Sequence, residues 1–505
     1  MTKIELTKQL KNKEEKILSL NAKVFLLEER LKELTRSKFG KSREKIIYDE
    51  AELLEWDDSF GDTLSAQVEV EQEATKRRAS TPRKKQKYGK FLDGLPVKKV
   101  TIDLSEPEKI GLVPAGEDVS RRLAYTPASY YVIETTTLKY VSQKHPEFGF
   151  ITGQKFKPAV PGSLFSESFY ANLLIRKFAD HLPLYRLEEI FKRDGLNLSR
   201  QTMSLAVFKL ADLLSPIHQG IRQAILVSKN CHVDETTVKE LSKGKCKTGY
   251  FWALVGSHFD SEMNLSQPMV YYDYHDNRRH ENALELLGED YQGVFHSDAY
   301  QAYSKLTSDG LIWQPCWAHA RREFFNALSA MPVRLEVIKL MDKAFRKERE
   351  YWKLAKESDF DANELKIFLL KFRQEECKPI IEEIFETVKN FLETGHYFQG
   401  EKILKACNYL LGRKASFMNF LNHPEARMDN NLCERSIRPL TIGRKNWMFV
   451  GSPRGGKSTA IISSIIQTCR NLYINPEAYL NDILKRINNT SEEDIETLLP
   501  HNWQK

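Results

Sequence analysis

No stretch of this 505-residue chain approaches the roughly 18 unbroken apolar residues that a membrane-spanning helix needs. The opening MTKIELTKQLKNKEEK is charged from the outset and lacks the apolar centre of a secretory signal. Cysteine is sparse: seven thiols stand at 231, 246, 316, 377, 407, 433 and 469, and no two lie within four residues of each other. That spacing argues against a disulfide scaffold and against a Cys-x-x-Cys zinc site. Dispersed thiols suit a reducing compartment, so a cytoplasmic protein without a membrane partner is expected. Neither sign of charge dominates: 76 Lys and Arg against 69 Asp and Glu leave a net +7. Such a balance is compatible with nucleic-acid binding and does not require it.

What is present is enough for several cores, with 41% hydrophobic residues over a length that suits three or four domains. The expected fold class is multidomain, α/β and α. Leu10, Ile17, Val24 and Leu31 recur every seven residues, and Leu6, Leu20, Leu27 and Leu34 form a second series broken at Lys13. This narrow a/d seam predicts a coiled coil over 1–40 and a homo-oligomer built through it. The alternative is a single helix lying on its own core. Residues 41–95 read as a charged linker, and KRRASTPRKKQKYGK within it is either solvated or a DNA-backbone contact by charge alone. Residues 96–160 are rich in short Val, Ile, Thr and Tyr runs and predict a small β-rich module.

Residues 161–225 turn helical. Asp194-Gly195 makes a turn, and Ser199 caps a helix that opens with Arg200 and Gln201. This is either a helix-turn-helix that offers Arg200 and Gln201 to a major groove, or an ordinary helical hairpin. From 226 to 329 the pattern is three strands (KNCHVDET, YFWALVG, PMVYYDY), then a helix from Arg278 to Leu287, the strand GVFHSD, a short helix from Ala299 to Leu306, the strand LIWQPCW and a helix from His319 to Leu328. A three-strand meander followed by βα alternation is the layout of a ribonuclease-H-like domain. Residues 330–420 read as a helical insertion, 421–458 as a return to the same domain, and 459–505 as a C-terminal helical segment.

Phosphodiester transfer builds charge on an attacking and a leaving oxygen, and two divalent ions held by carboxylates can stabilise both. Asp234 and Asp298 close the first and fourth strands, which are neighbours in such a sheet, and Glu434 would come from the helix after the insertion. On that helix Asn430, Glu434 and Arg438 are spaced at i, i+4 and i+8, with Asn431 beside them, so that one face offers a carboxylate, amides and a guanidinium. Glu235, Asp273, Asp276, Glu425 and Asp429 are rivals, and strand alternation turns Glu235 away from Asp234. His232 and His296 share the faces of the two aspartates and read as packing or supporting residues. His319, with Arg321 and Arg322, opens a helix and reads as a phosphate contact or a surface cap. GSPRGGKS at 451–458 satisfies the P-loop pattern. A nucleotide-binding sheet also needs a later strand ending in a magnesium-binding Asp, and the remaining residues read as helices and turns. A basic Gly-rich loop is expected there.

The segments HVDET, HSDAY, CWAHARREF and MDNNLCERSIRPLTIGRKNWMFVGSPRGG resemble the transposases of the insertion sequence 66 family over nearly the whole chain. The resemblance implies a DDE-type polynucleotidyl transferase with Asp234, Asp298 and Glu434 as catalytic and metal-holding acids. It implies Mg2+ as a pair of ions, with Mn2+ as a substitute. Asp234 would serve both ions, Asp298 one and Glu434 the other. Asn431, Arg438, Arg444 and Lys445 are the candidates for DNA contact. DNA is the implied partner, as element ends and target, with accessory transposition proteins possible and a nucleoid-associated location. Family members often carry a paired Cys-x-x-Cys in the middle module; residues 91–160 here contain no cysteine, so no zinc is expected. The alternative is a catalytically inactive DNA-binding relative.

Overall fold

A computed structural model describes residues 130–504, apart from 138, 142–149, 153–156, 243, 257–267, 301–302, 304–305, 307–309, 328–330 and 395–401. The expected coiled coil, the charged linker and most of the β-rich module lie outside the described residues, as does much of the expected helix at Ala299–Leu306. The described residues fall into two compact units, one within 45–153 and one from 154 onward. Of the first, the regular part is an antiparallel pair, β1 (Lys139–Val141) with β2 (Phe150–Thr152).

The second unit opens with α1 (Glu167–Leu174), α2 (Leu184–Arg193) and α3 (Arg200–Val227). Gly195 makes the turn between α2 and α3 at φ +87°, and the Ser199 side chain accepts from the Thr202 N–H. The helix, glycine turn and helix read from sequence are therefore present. α3 runs for 28 residues, and its buried stripe, including Leu210, Leu214, Ile217, Ile221 and Ile225, makes it a core helix of the α/β unit.

One mixed sheet follows: β3 (Asn230–Ser242), β4 (Lys245–Gly256), β5 (Met269–His275), β6 (Gly293–Ser297) and β7 (Leu311–Pro315), in the spatial order β5-β4-β3-β6-β7. β3, β4 and β5 pair antiparallel, and β6 joins β3, and β7 joins β6, in parallel. α4 (His280–Leu287) links β5 to β6, and α5 (Trp317–Asn326) follows β7. Phe251 to Gly256 on β4 are buried without alternation, as expected of a central strand covered on both faces.

The helical insertion is α6 (Met331–Glu357), α7 (Ala362–Phe372), α8 (Lys378–Thr394), α9 (Lys402–Leu411) and α10 (Lys414–Phe417). The chain then returns through α11 (Asn431–Trp447), the short β8 (Phe449–Val450), α12 (Pro453–Asn471) and α13 (Pro476–Arg486). Cys433, Ile437 and Leu440 of α11 and Ala460 of α12 pack on Val238, Phe251, Ala253, Val255, Val270, Tyr272 and Tyr274, which are the residues on one face of the sheet.

The outer edge of β5 would otherwise offer free backbone groups. α12 closes it: the Val270 N–H donates to Thr468 Oγ1 at 3.0 Å, and the Tyr272 N–H to Ser464 Oγ at 2.8 Å. GSPRGGKS opens the same helix. The expected Gly-rich loop is a correction: from Pro453 onward it is the first turn of α12. The Gly455 N–H donates to Ser452 Oγ and the Gly456 N–H to the Ser452 carbonyl, so both are committed to the helix start. A Cβ on Gly456 would lie 2.5 Å from the Tyr274 ring. Close packing against β5 accounts for that glycine, with no phosphate cradle.

Candidate active site

β3 has different neighbours along its length on one side. β6 pairs with it only from Asn230 to His232, and β8 pairs with it at Lys239 and Glu240. Between them the strand edge is open, and Asp234 and Glu235 stand in that break. Asp298 follows the last residue of β6 at the same level, and Glu434 lies in the first turn of α11. Ligand sites of α/β sheets favour such places, because diverging elements leave room between strand ends.

The acids sense one another. Burial pushes the Asp234 carboxyl well above its usual range, and the charges of Glu235, Asp298 and Glu434 push it further. The Asp234 side chain also folds back to accept the Glu235 N–H at 2.8 Å. The structure thus brings Asp234, Asp298 and Glu434 together from three separate elements.

It also brings in Glu235, which strand alternation had turned away. Burial is the largest cause of its raised proton affinity, opposed by a hydrogen bond from Tyr303 and by Arg278. Alternation does hold along β3, but it excludes a residue only where a neighbouring strand separates the two faces. At the open edge both faces look onto the same space.

Glu434 is set by what precedes it. Asn430 stands before α11 rather than on its outward face, which corrects the expected row of Asn430, Glu434 and Arg438. It is wholly buried. His232 Nδ1 donates to Asn430 Oδ1 at 2.9 Å, Asn430 Nδ2 donates to the Val233 carbonyl at 3.0 Å, and its N–H reaches Cys316 Sγ at 3.1 Å. These bonds tie the start of α11 directly to β3, one residue from Asp234. His232 stacks on His296 at 4.2 Å, and His296 Nδ1 donates to the Cys231 carbonyl, so both histidines are supports inside the core. Burial holds His296 down to about 4 and His232 well below its ordinary value.

The insertion contributes too. Arg373 is fully buried and donates to the carbonyls of Phe420 (2.5 Å), His423 (2.8 Å) and Ala426 (2.7 Å), and to Glu348 (2.5 Å). Tyr351 adds a bond to the Pro424 carbonyl. The segment leading into Asn430 is therefore strung on insertion side chains.

His319 faces the site. Its Nδ1 lies 3.6 Å from Glu434 Oε1, and both atoms are buried without a hydrogen-bond partner. Cys316 Sγ, a ring nitrogen of His319 and a Glu434 oxygen fall within 4.8 Å of one another. Sequence alone gave His319 the reading of a cap or a phosphate contact. Its three-residue spacing from Cys316 across a strand-to-helix junction was the available signal.

The remaining candidates divide. Arg438 and Lys445 are exposed on α11. Arg444 bonds Thr236 Oγ1 at 3.2 Å and the Thr237 carbonyl, which closes part of the open edge of β3. Asn431 is half-buried and donates to Asp429 at 2.9 Å. Arg200 and Gln201 are exposed at the start of α3, where the Arg200 N–H is bonded to Glu188. Arg278, absent from the sequence-based set, donates to Glu235 and lies 3.5 Å from Asp298. The sequence reads it as the first residue of a helix from Arg278 to Leu287, but that helix begins at His280 and Arg278 lies in the irregular turn before it.

Comparison with known proteins gives the same direction over most of the chain. The family model "Transposase IS66 family" matches residues 162–458, "IS66 C-terminal element" matches 464–501, and "Transposase C of IS166 homeodomain" matches 26–100. Two similar proteins of Sinorhizobium fredii are each described as uncharacterized. y4hP is 27% identical, covering 95% of this chain and 89% of its own length. y4qI is 28% identical, covering 96% and 90%.

Proposed function

This chain belongs to the transposase IS66 family, and from that premise we propose that it is a DDE-type DNA transposase, which cuts DNA at the ends of an insertion sequence and joins the freed 3′-hydroxyl to a target. The observation that carries the reading is the meeting of Asp234, Asp298 and Glu434 at one break in the sheet. The strand order β5-β4-β3-β6-β7, antiparallel then parallel, supports a ribonuclease-H-like domain.

The residues fit a pair of hard cations. Asp234 is crowded by like charges, and Glu434 keeps a buried oxygen without a hydrogen-bond partner. Two Mg2+ ions, or Mn2+ in their place, supply when bound the charge that stabilises the attacking and leaving oxygens of phosphodiester transfer. The chain's own part is to hold the three acids in place beforehand. β3 fixes Asp234, the end of β6 fixes Asp298, and the Asn430 and His232 bonds fix the start of the Glu434 helix. Preorganised charge costs no rearrangement during the reaction. Arg438 and Lys445 offer exposed charge to backbone phosphates, and Arg200 and Gln201 offer polar groups to a groove. DNA as partner is supported further by the match to a homeodomain-type region. The heptad at 1–40 supports pairing of two subunits, which suits a reaction that must hold two DNA ends. No helix among the described residues is long and apolar enough to cross a membrane.

The test is strand cleavage and joining on DNA carrying the element's ends, with Mg2+. Asp234→Asn, Asp298→Asn and Glu434→Gln should each abolish joining while DNA binding persists. Joining at native rates by Asp298→Asn would overturn the enzyme reading and favour a binding protein.

A further inference from the structure

Arg278 sits between β5 and α4 on a turn that is anchored. Asn282 Nδ2 donates to the Asn277 carbonyl at 2.9 Å, and the Arg279 N–H donates to Asn277 Oδ1 at 3.1 Å. Asn282 is 7% exposed, so the turn is pinned from inside the domain. From this turn the guanidinium reaches two carboxylates. Nε donates to Glu235 Oε1, and Nη2 lies 3.5 Å from Asp298 Oδ2. Its plane covers the Tyr300 ring, 4.2 Å from the centroid.

The two partners of this pair are unequal. The Glu235 side chain is 3% exposed and that of Arg278 is 38% exposed. The second Glu235 oxygen accepts the Tyr303 hydroxyl at 2.6 Å. A buried carboxylate is expensive to desolvate and is tolerated where its partners are fixed. Both Glu235 oxygens are already engaged, one by the guanidinium and one by a buried phenol. Arginine carries five donors, and two are accounted for by the carboxylates. The remaining donors belong to a side chain that is partly exposed to solvent. The 3.5 Å approach to Asp298 is long for a charge-assisted bond and easily exchanged. A planar fork next to a metal-holding acid matches the oxygens of a phosphate better than a lysine would.

We propose that Arg278, positioned by the buried Glu235, grips the DNA backbone phosphate that lies against Asp298, and that Glu235 acts through Arg278 rather than as a fourth metal ligand. This rests on the reading of Asp234, Asp298 and Glu434 as the metal-holding acids. With a cation held at Asp298 the guanidinium would be displaced from that carboxylate, and its freed donors would be taken up by the incoming phosphate. Glu235 is then a positioning residue.

The experiment uses the full chain, a labelled DNA duplex and Ca2+, with affinity measured across a salt series. Loss of one phosphate contact lowers the slope of log affinity against log salt by about 0.9, which is about eightfold over one decade of salt. Arg278→Ala should show that loss. Arg278→Lys should restore the slope but not full strand transfer. Glu235→Gln should match Arg278→Ala, and the double variant should be no worse than either single change. Binding of Mn2+, followed by the resonance signal of the free ion, should be retained in both single variants, and tightened in Arg278→Ala because no guanidinium then competes for Asp298. An unchanged salt slope in Arg278→Ala overturns the proposal. So does loss of Mn2+ binding in Glu235→Gln while Arg278→Ala retains it. Arg278 is exposed, so its variants carry the test even where Glu235→Gln fails to fold. Mn2+ binding retained by Asp298→Asn would instead overturn the metal-site reading, with the salt slope still reporting on Arg278.

Discussion

Replacing Arg373 by methionine tests whether the helical insertion holds the active-site helix in position. Four acceptors lose their donor: Glu348 and the carbonyls of Phe420, His423 and Ala426. Removing one member of a buried ion pair costs about 3–5 kcal/mol, because the other charge is left buried. Glu348 is 6% exposed and keeps only the Trp352 indole N–H, at 2.9 Å, among its described hydrogen bonds. The chain contains more than one compact unit, so a single global unfolding free energy is not well defined. Amide exchange followed by mass spectrometry reads the segment directly. Protection across residues 420–431 should fall by about 10²–10⁴-fold, the population change that 3–5 kcal/mol implies. Strand transfer should fall with it, since Asn430 lies at the end of that segment. Arg373→Met with Glu348→Leu removes the stranded charge but still leaves the carbonyls of Phe420, His423 and Ala426 without their donor, so it should recover only the part of the protection due to the buried charge. Native-like protection in Arg373→Met, or full recovery in the double variant, would refute the clamp.

Gly456→Ala should destabilise the second unit by about 1–3 kcal/mol, since the added methyl must displace the Tyr274 ring, and this is read as a lowered melting temperature. Acid should destabilise the protein early. His218 is held to about 4 by burial, with Nε2 donating to the Tyr272 carbonyl at 2.9 Å. Its native form binds the proton later than the unfolded chain does, so the stability it confers is present at neutral pH and lost as pH falls from 6.5 towards 4. The full loss approaches about 3 kcal/mol. His218→Gln should flatten the decline in melting temperature over that window, and an unaltered slope would contradict the assignment.

The sequence by itself determined the elements. Alternating and continuous apolar runs marked β3 to β7, the period near 3.6 marked the insertion helices, and Gly195 with Ser199 marked the turn into α3. These signals are local, because backbone periodicity and caps depend on residues a few positions apart. Asp298 was readable as an acid at a strand end and Glu434 as one in the helix after an insertion, strengthened by family resemblance, whereas Asp234, expected to close its strand, stands inside β3, which runs on to Ser242. What only the tertiary structure decided depends on which edges meet. The break beside β3 arises because β6 departs and β8 arrives, and it gives Glu235 access to the site despite alternation. Arg278 comes from an irregular turn, His319 faces Glu434 across two helices, and Gly456 of GSPRGGKS packs against Tyr274. Asn430 left its expected helical face because His232 and Cys316, roughly 200 and 114 positions away in sequence, offered it better partners than solvent. Such choices are set by long-range hydrogen bonds and burial, which no window of neighbouring residues contains.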